Sequence, residues 1–222
     1  MTTLTTAPVS TLLDALFAEA DRDFTTMPAA FTGLSEEERR RLMTSPTEYP
    51  SLYAALKNEA LAISRETGTL LYMLARSSRA RSIVEFGTSF GISTLHLAAA
   101  LRDNGGGRLI TSEFEPSKAA RAQETFIASG LADLIELREG DALETLGSDL
   151  PGTIDLVLLD GAKGLYPAIL HRLESHLRPG ALILADNADW SPDYLARVRD
   201  KAGRFLSVPF AGDVELSMLL GG

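Results

Sequence analysis

The chain contains no cysteine. Disulfides and thiolate metal sites are therefore excluded, and this usage fits a reducing cytoplasm. Histidine is scarce too. His96, His171 and His176 are the only three, they fall on helical patterns, and they lack the spacing that would let them share a metal. We read all three as structural. No apolar run is long enough to span a bilayer, and the N-terminus lacks the basic start and continuous apolar core of a secretory leader. The expectation is a cytoplasmic protein. Basic residues are outnumbered, 21 Lys and Arg against 30 Asp and Glu, which gives a formal net charge of −9. That balance argues against a nucleic-acid or membrane partner and is accounted for by solubility.

What is present suffices for a full core. With 222 residues, 45% of them hydrophobic, the chain fits one domain with an appended segment. Its organising stretch is Ser82-Ile83-Val84-Glu85-Phe86-Gly87-Thr88-Ser89-Phe90-Gly91-Ile92-Ser93, followed by Leu95, Leu97, Ala98 and Leu101 at helical spacing. This reads as strand, glycine loop and helix, a turn that holds a small ligand at the end of a parallel strand. The loop has neither Gly-x-Gly-x-x-Gly nor the Lys-Ser or Lys-Thr pair of a P-loop. An acid two residues before its first glycine suits a ligand with a positive end.

Strand and helix signals alternate beyond this point. Strands are expected at 81–86, 108–114, 133–138, 154–159 and 181–186, and helices at about 92–102, 116–129, 141–147, 164–177 and 192–202. Residues 205–210 and 214–220 form a hairpin around Ala211-Gly212-Asp213, so the sheet ends with an antiparallel strand. The first eighty residues carry no strand signal. Residues 1–9 read as frayed, Ser10 as the cap of a helix bearing Leu12, Leu13, Leu16 and Phe17, and 24–33 as a loop. Ser35 and Glu38 have capping-box spacing, 44–50 is a break, and helices are expected at 52–63 and 66–75. The division is thus 1–80, a helical cap on the substrate side, and 81–222, one catalytic unit.

Candidate site residues fall at the strand ends. Glu113 lies about twenty residues beyond the glycine loop, where an acid can accept both hydroxyls of a ribose; Glu115 competes for that role. Gly140-Asp141-Ala142 can meet an adenine through Asp141 or the backbone of Ala142, or Asp141 can simply cap a helix. Asp160 follows the fourth strand and Asp186-Asn187 the fifth. Three oxygen donors on neighbouring strands suit a hard cation such as Mg²⁺. Lys163, three residues past Asp160, is placed to act as a base, and crowding there is expected to lower its pKa toward neutrality.

These pieces, taken in order, resemble the cation-dependent S-adenosylmethionine O-methyltransferases, the relatives of catechol and caffeoyl-CoA O-methyltransferases. The matching motifs are Ile63-Ser64-Arg65-Glu66-Thr67-Gly68, the glycine loop, Thr111-Ser112-Glu113, Asp160-x-x-Lys163-x-x-Tyr166, Asp186-Asn187 and the terminal Gly212-Asp213 hairpin, which together span the chain from about residue 62 to its end. The resemblance implies an α/β, Rossmann-like class I methyltransferase fold, with a seven-stranded, mostly parallel sheet, a C-terminal antiparallel hairpin and a helical N-terminal cap. It implies S-adenosylmethionine over Glu85, Gly87, Thr88, Ser93, Glu113, Asp141, Ala142 and Asp160. It also implies Mg²⁺ or another divalent cation on Asp160, Asp186 and Asn187, with Lys163 as catalytic base and Asp160 between cofactor and metal. The expected partners are a phenolic vicinal-diol acceptor and a second copy of the chain. Gly161-Ala162 are small beside the metal residues, which points to room for an acceptor larger than catechol. Trp190 either walls the acceptor site or packs. Two alternatives stand beside this reading: a non-catalytic cofactor-binding protein of the same fold, and an NAD-dependent oxidoreductase, against which the missing fingerprint counts.

Overall fold

The computed structural model describes residues 1–23, 28–210 and 212–221. Part of the expected 24–33 loop and Ala211 at the hairpin tip lie outside these described residues. Seven strands form one sheet: β1 (Ser82–Phe86), β2 (Arg108–Glu113), β3 (Ile135–Glu139), β4 (Ile154–Leu159), β5 (Leu177–Ala185), β6 (Phe205–Phe210) and β7 (Val214–Leu219). Their order is β3-β2-β1-β4-β5-β7-β6. Neighbours from β3 through β5 pair in parallel, and β7 runs against both β5 and β6. The helices are α1 (Val9–Asp23), α2 (Glu36–Thr44), α3 (Tyr49–Ala55), α4 (Arg65–Ser77), α5 (Ile92–Asp103), α6 (Pro116–Ser129), α7 (Ala142–Thr145), α8 (Tyr166–Leu173) and α9 (Pro192–Val198).

The central strands are apolar on both faces because both are covered. Side chains alternate across a strand, so successive residues enter different cores. Ile83, Leu109, Leu156 and Leu158 join one cluster with Leu71, Leu95, Leu101 and Phe126, on the side of α4, α5 and α6. Val84, Ile110, Val157 and Leu159 join the other with Tyr166, Ile169 and Leu170 of α8 and Val198 of α9. Val9, Leu13, Leu16 and Phe17 of α1 belong to the first cluster, so α1 packs on the flank of the sheet. By contrast, α2 lies against the turns Lys163–Leu165 and Ala188–Trp190, which follow β4 and β5.

Several boundaries differ from the sequence expectation. The N-terminus is tied down: the Thr3 N–H and hydroxyl both donate to Asp103, at 3.1 and 2.5 Å. Ser10 lies inside the first turn of α1 and does not cap it; its N–H donates to Thr6 O. The Ser35–Glu38 capping box forms in both halves. The helix expected at 52–63 is replaced by α3, which starts at Tyr49 with Pro50 in its first turn and ends at Ala55. Proline suits that position because the first-turn N–H has no partner inside a helix. The chain then runs irregularly to Ser64, which caps α4. The long helix expected at 164–177 is α8 flanked by two 3₁₀ turns, and β5 begins at Leu177. Among the described residues, no helix is long and apolar enough to cross a membrane.

Asp155 pins the lower edge of the sheet. Its Oδ2 accepts the N–H groups of Arg81 and Ser82 at 2.7 and 2.9 Å, and its Oδ1 accepts Arg178 Nε at 2.5 Å. Burial alone would raise its pKa, but Arg178 and the two N–H groups together lower it. Asp155→Ala should reduce the unfolding free energy in a urea titration by about 2 kcal/mol. A depressed carboxylate stabilises above its unfolded-state pKa, so the deficit should persist at neutral pH and fade only below about pH 4.

Candidate active site

The hydrogen-bond ladder continues past the strand ends and fixes the loops there. Gly140 N donates to Glu113 O at 2.8 Å, Gly87 N to Ser112 O at 3.2 Å, Asp160 N to Phe86 O at 2.8 Å and Asp186 N to Leu159 O at 2.9 Å. These loops border a cleft lined by Gly87, Glu113, Gly140, Ala142 and Asp160. Tyr49 and Tyr53 of α3 line it as well; four residues apart, they share one helix face. Gly87 has φ +103°, and a Cβ there would stand 2.6 Å from Asp160 O, so no side chain fits between the two loops.

The predicted cofactor residues do not all share one setting. Glu113 faces the cleft. Its Oε2 accepts Ser89 N at 2.8 Å and its Oε1 accepts Glu115 N at 2.9 Å. Glu115 instead turns to Ser117 and caps α6. Gly87, Ala142 and Asp160 also line the cleft. Thr88 and Ser93 border a smaller pocket beside it, which also touches Gly87 and Asp160. Thr88 and Thr111 share a hydroxyl hydrogen bond of 2.5 Å. Glu85 lies below the loop, fully buried, and accepts the Ser93 and Thr94 hydroxyls at 2.5 and 2.6 Å. Burial pushes its pKa up to about 7 against the pull of those hydroxyls. Asp141 caps α7 through Leu143 N at 2.8 Å and accepts the Tyr49 hydroxyl on its other oxygen.

Asp160 and Asp186 stand side by side, since Leu159 and Ala185 are paired in the β4–β5 ladder. Burial, with the Asp160 charge beside it, pushes Asp186 up to about 7. Asn187, at φ +47°, donates Nδ2 to Asp213 at 2.8 Å, which leaves its Oδ1 free to bind. Among the described residues, no three His, Cys, Asp or Glu side chains gather as a metal site. The third donor of this set is an amide. Two crowded carboxylates and an amide oxygen fit a hard divalent cation, which would relieve the repulsion between them.

Lys163 donates Nζ to Asp160 Oδ1 at 2.9 Å and is almost fully buried. Its pKa does not fall toward neutrality as expected. Burial lowers it, but Asp160, Tyr166, Tyr53 and Asp186 outweigh burial and hold it well above the ordinary lysine value. Gly161 and Ala162, the small pair expected to leave room, both line the cleft. A Cβ on Gly161 would stand 2.4 Å from the Phe86 ring, so its small size also accommodates Phe86. Trp190 carries the Arg40 guanidinium of α2 at 5.4 Å from its ring centroid. His96 Nδ1 bonds Ile92 O, and His176 Nδ1 bonds Pro151 O.

Four contributors were missed in the sequence. Ser89, at φ +47°, has a buried hydroxyl at the edge of the cleft with no partner among the described residues. Tyr49 and Tyr53 were visible as an i, i+4 aromatic pair, but their helix was placed too late in the chain. Lys118 also lines the cleft.

Comparison with known proteins fits this geometry. A family model described as O-methyltransferase matches residues 48–208. The chain belongs to the O-methyltransferase family. The family match begins just ahead of α3, so it takes in the two cleft tyrosines along with the motifs from about residue 62 onward. Catechol O-methyltransferase of Niastella koreensis is 37% identical over 131 residues, 58% of this chain and 58% of that protein. Catechol O-methyltransferase of Sus scrofa is 32% identical over 174 residues, 75% of this chain and 92% of that one. The alignments to the Niastella koreensis and Mycobacterium tuberculosis relatives span 58% and 64% of their lengths. Among solved structures, the O-methyltransferase TomG of Streptomyces achromogenes, in complex with S-adenosylmethionine, superposes with a TM-score of 0.65 at 26% identity, over 85% of this chain and all of that one. An O-methyltransferase of Bacillus cereus, in complex with S-adenosylhomocysteine, gives 0.67 at 21% identity over 93% and 100%, a likeness of fold. In this family member the sheet and its helices have the Rossmann-like class I methyltransferase fold.

Glu85 offers a direct test of the loop's electrostatics. Its folded-state pKa of about 7 lies above the ordinary value, so the folded chain binds that proton more tightly than the unfolded one. The cost of burying the charge is therefore absent in acid and grows as pH rises toward 7. Glu85→Gln should raise the unfolding free energy at about pH 8 by about 3 kcal/mol and by little at about pH 4. Chemical denaturation at both pH values checks this; an equal change at both would contradict it.

Proposed function

We propose that the protein transfers the methyl group of S-adenosylmethionine to one hydroxyl of an aromatic vicinal diol, assisted by a divalent cation at Asp160, Asp186 and Asn187. One observation carries the reading: Asp160, which lines the cleft with Glu113, holds Lys163 and adjoins Asp186, which with Asn187 lines a second pocket. The relatives named catechol O-methyltransferase support the diol, and the TomG complex supports the methyl donor. Mg²⁺ is favoured by an all-oxygen donor set.

The chain's own residues supply orientation and charge. Glu113 uses one lone pair on each oxygen for a backbone N–H, which leaves others to accept ribose hydroxyls. Gly87, bare of a side chain, lets a ligand approach the backbone. Tyr53 borders the cleft, and burial pushes its pKa up to about 12, so it stays a neutral donor. S-adenosylmethionine brings a methyl already activated by its sulfonium, and a divalent cation lowers the pKa of a bound hydroxyl. Lys163 is the proton acceptor. The Asp160 and Asp186 charges hold it protonated, and a cation on those carboxylates would remove that hold and leave burial to favour the neutral base.

Methyl transfer to a panel of vicinal diphenols, with Mg²⁺ and with a chelator, tests this reading. Lys163→Met should lower kcat by about a hundredfold or more while S-adenosylhomocysteine affinity holds. Asp186→Ala should remove the response to Mg²⁺. Full turnover in chelator would end the metal assignment, and binding of NAD in place of either S-adenosyl compound would move the protein to the oxidoreductase class.

A further inference from the structure

The Gly212-Asp213 turn takes no part in the proposed methyl transfer, yet its position is closely specified. β7 runs against β5, with Leu184 paired to Leu216 and Ala185 to Glu215. Carried two residues past the end of β5, that register sets Asn187 opposite Asp213. The main chain follows it: Ala188 N donates to Asp213 O at 2.8 Å. The side chains add a second link, in which Asn187 Nδ2 donates to Asp213 Oδ2 at 2.8 Å. Asp186, Asn187 and Asp213 line one pocket.

An amide ligand has an orientation problem that a carboxylate does not. Its two ends are nearly the same size, but one is an acceptor oxygen and the other a donor nitrogen. Only the oxygen suits a hard cation. A carboxylate can only accept, so Asp213 takes the NH₂ end of Asn187, and Oδ1 is turned the other way. Among the described residues, no other hydrogen bond holds the Asn187 side chain. Asp213 is thus what decides between the two ends. It does not join the donors itself, since among the described residues no three carboxylates gather as a metal site.

We propose that Asp213 is a positioning residue for the divalent cation, fixing the Asn187 amide so that its oxygen, and not its nitrogen, is left for the metal. This rests on the reading of Asp160, Asp186 and Asn187 as the metal donors. Outer partners of this kind orient a ligand without touching the ion. A carboxylate in the same pocket would also attract a cation by charge alone, whichever way the amide points, and the test separates the two effects.

Titration of the full chain with Mn²⁺, followed by the electron paramagnetic resonance signal of the free ion, reads metal affinity without turnover. Asp213→Ala keeps the main-chain bond to Ala188 and should bind Mn²⁺ about tenfold more weakly or worse, with a thermal unfolding midpoint near wild type. Asn187→Asp offers oxygen at both ends, and aspartate tolerates the left-handed backbone of this position, φ +47°. In that background Asp213→Ala should cost no Mn²⁺ affinity. A loss of the same size in both backgrounds assigns the effect to charge and overturns the proposal. So does an Asp213→Ala affinity equal to wild type, which leaves the metal reading standing. A wild-type chain that binds no Mn²⁺ removes the metal reading and this proposal with it.

Discussion

The site is an extension of the sheet's own hydrogen-bond ladder. The four backbone bonds that run from Gly140 to Asp186 carry the strand register one residue beyond each strand. Every candidate loop is therefore placed by main-chain geometry before any side chain acts. The absence of a Cβ at Gly87 is part of the same constraint, because the β1 and β4 loops touch there. Asp160 can stand between the cleft and Asp186 only because both loops leave the sheet in step. The apolar strands beneath, buried on two faces, keep that step from slipping.

Charge is arranged in two buried groups along this rim. Glu113 and Lys118 are buried along the same cleft, and Lys163 is bonded to Asp160 beside Asp186. In each, an acid that burial would neutralise is set against a lysine that burial would also neutralise. Neither partner is stable alone, since one buried charge without its counterpart is far costlier than the pair. The two ends differ in balance. Two carboxylates surround Lys163 and push it up, whereas Lys118 is pulled down by burial despite four acids around it.

The parallel sheet was legible because its signal is local and repeated. Ile83-Val84, Leu109-Ile110 and the 154–159 run announce strands buried on both faces wherever they are read. The strand-end acids were legible as well, because a parallel sheet collects its loops at one edge. Other features depend on sums or spatial neighbours. The Lys163 pKa is set by burial against four partners from three parts of the chain, and the sequence shows only the nearest. The small size of Gly161 answers to Phe86, which is far away in sequence. In residues 49–63 the apolar spacing continues past Ala55, yet the chain leaves the helix there, because Pro50 fixes its start and the stretch up to Ser64 borders the cleft and its neighbouring pocket. The cleft tyrosines were lost with that boundary.

The hydrogen bond between the Tyr49 hydroxyl and Asp141 joins two elements that have no other reason to move together. Tyr49 belongs to α3, which borders the cleft from one side. Asp141 is the cap of α7, which borders it from the other. The carboxylate that caps the start of α7 is therefore also an anchor for α3. A change at either residue reaches both the α7 cap and the helix face that lines the cleft.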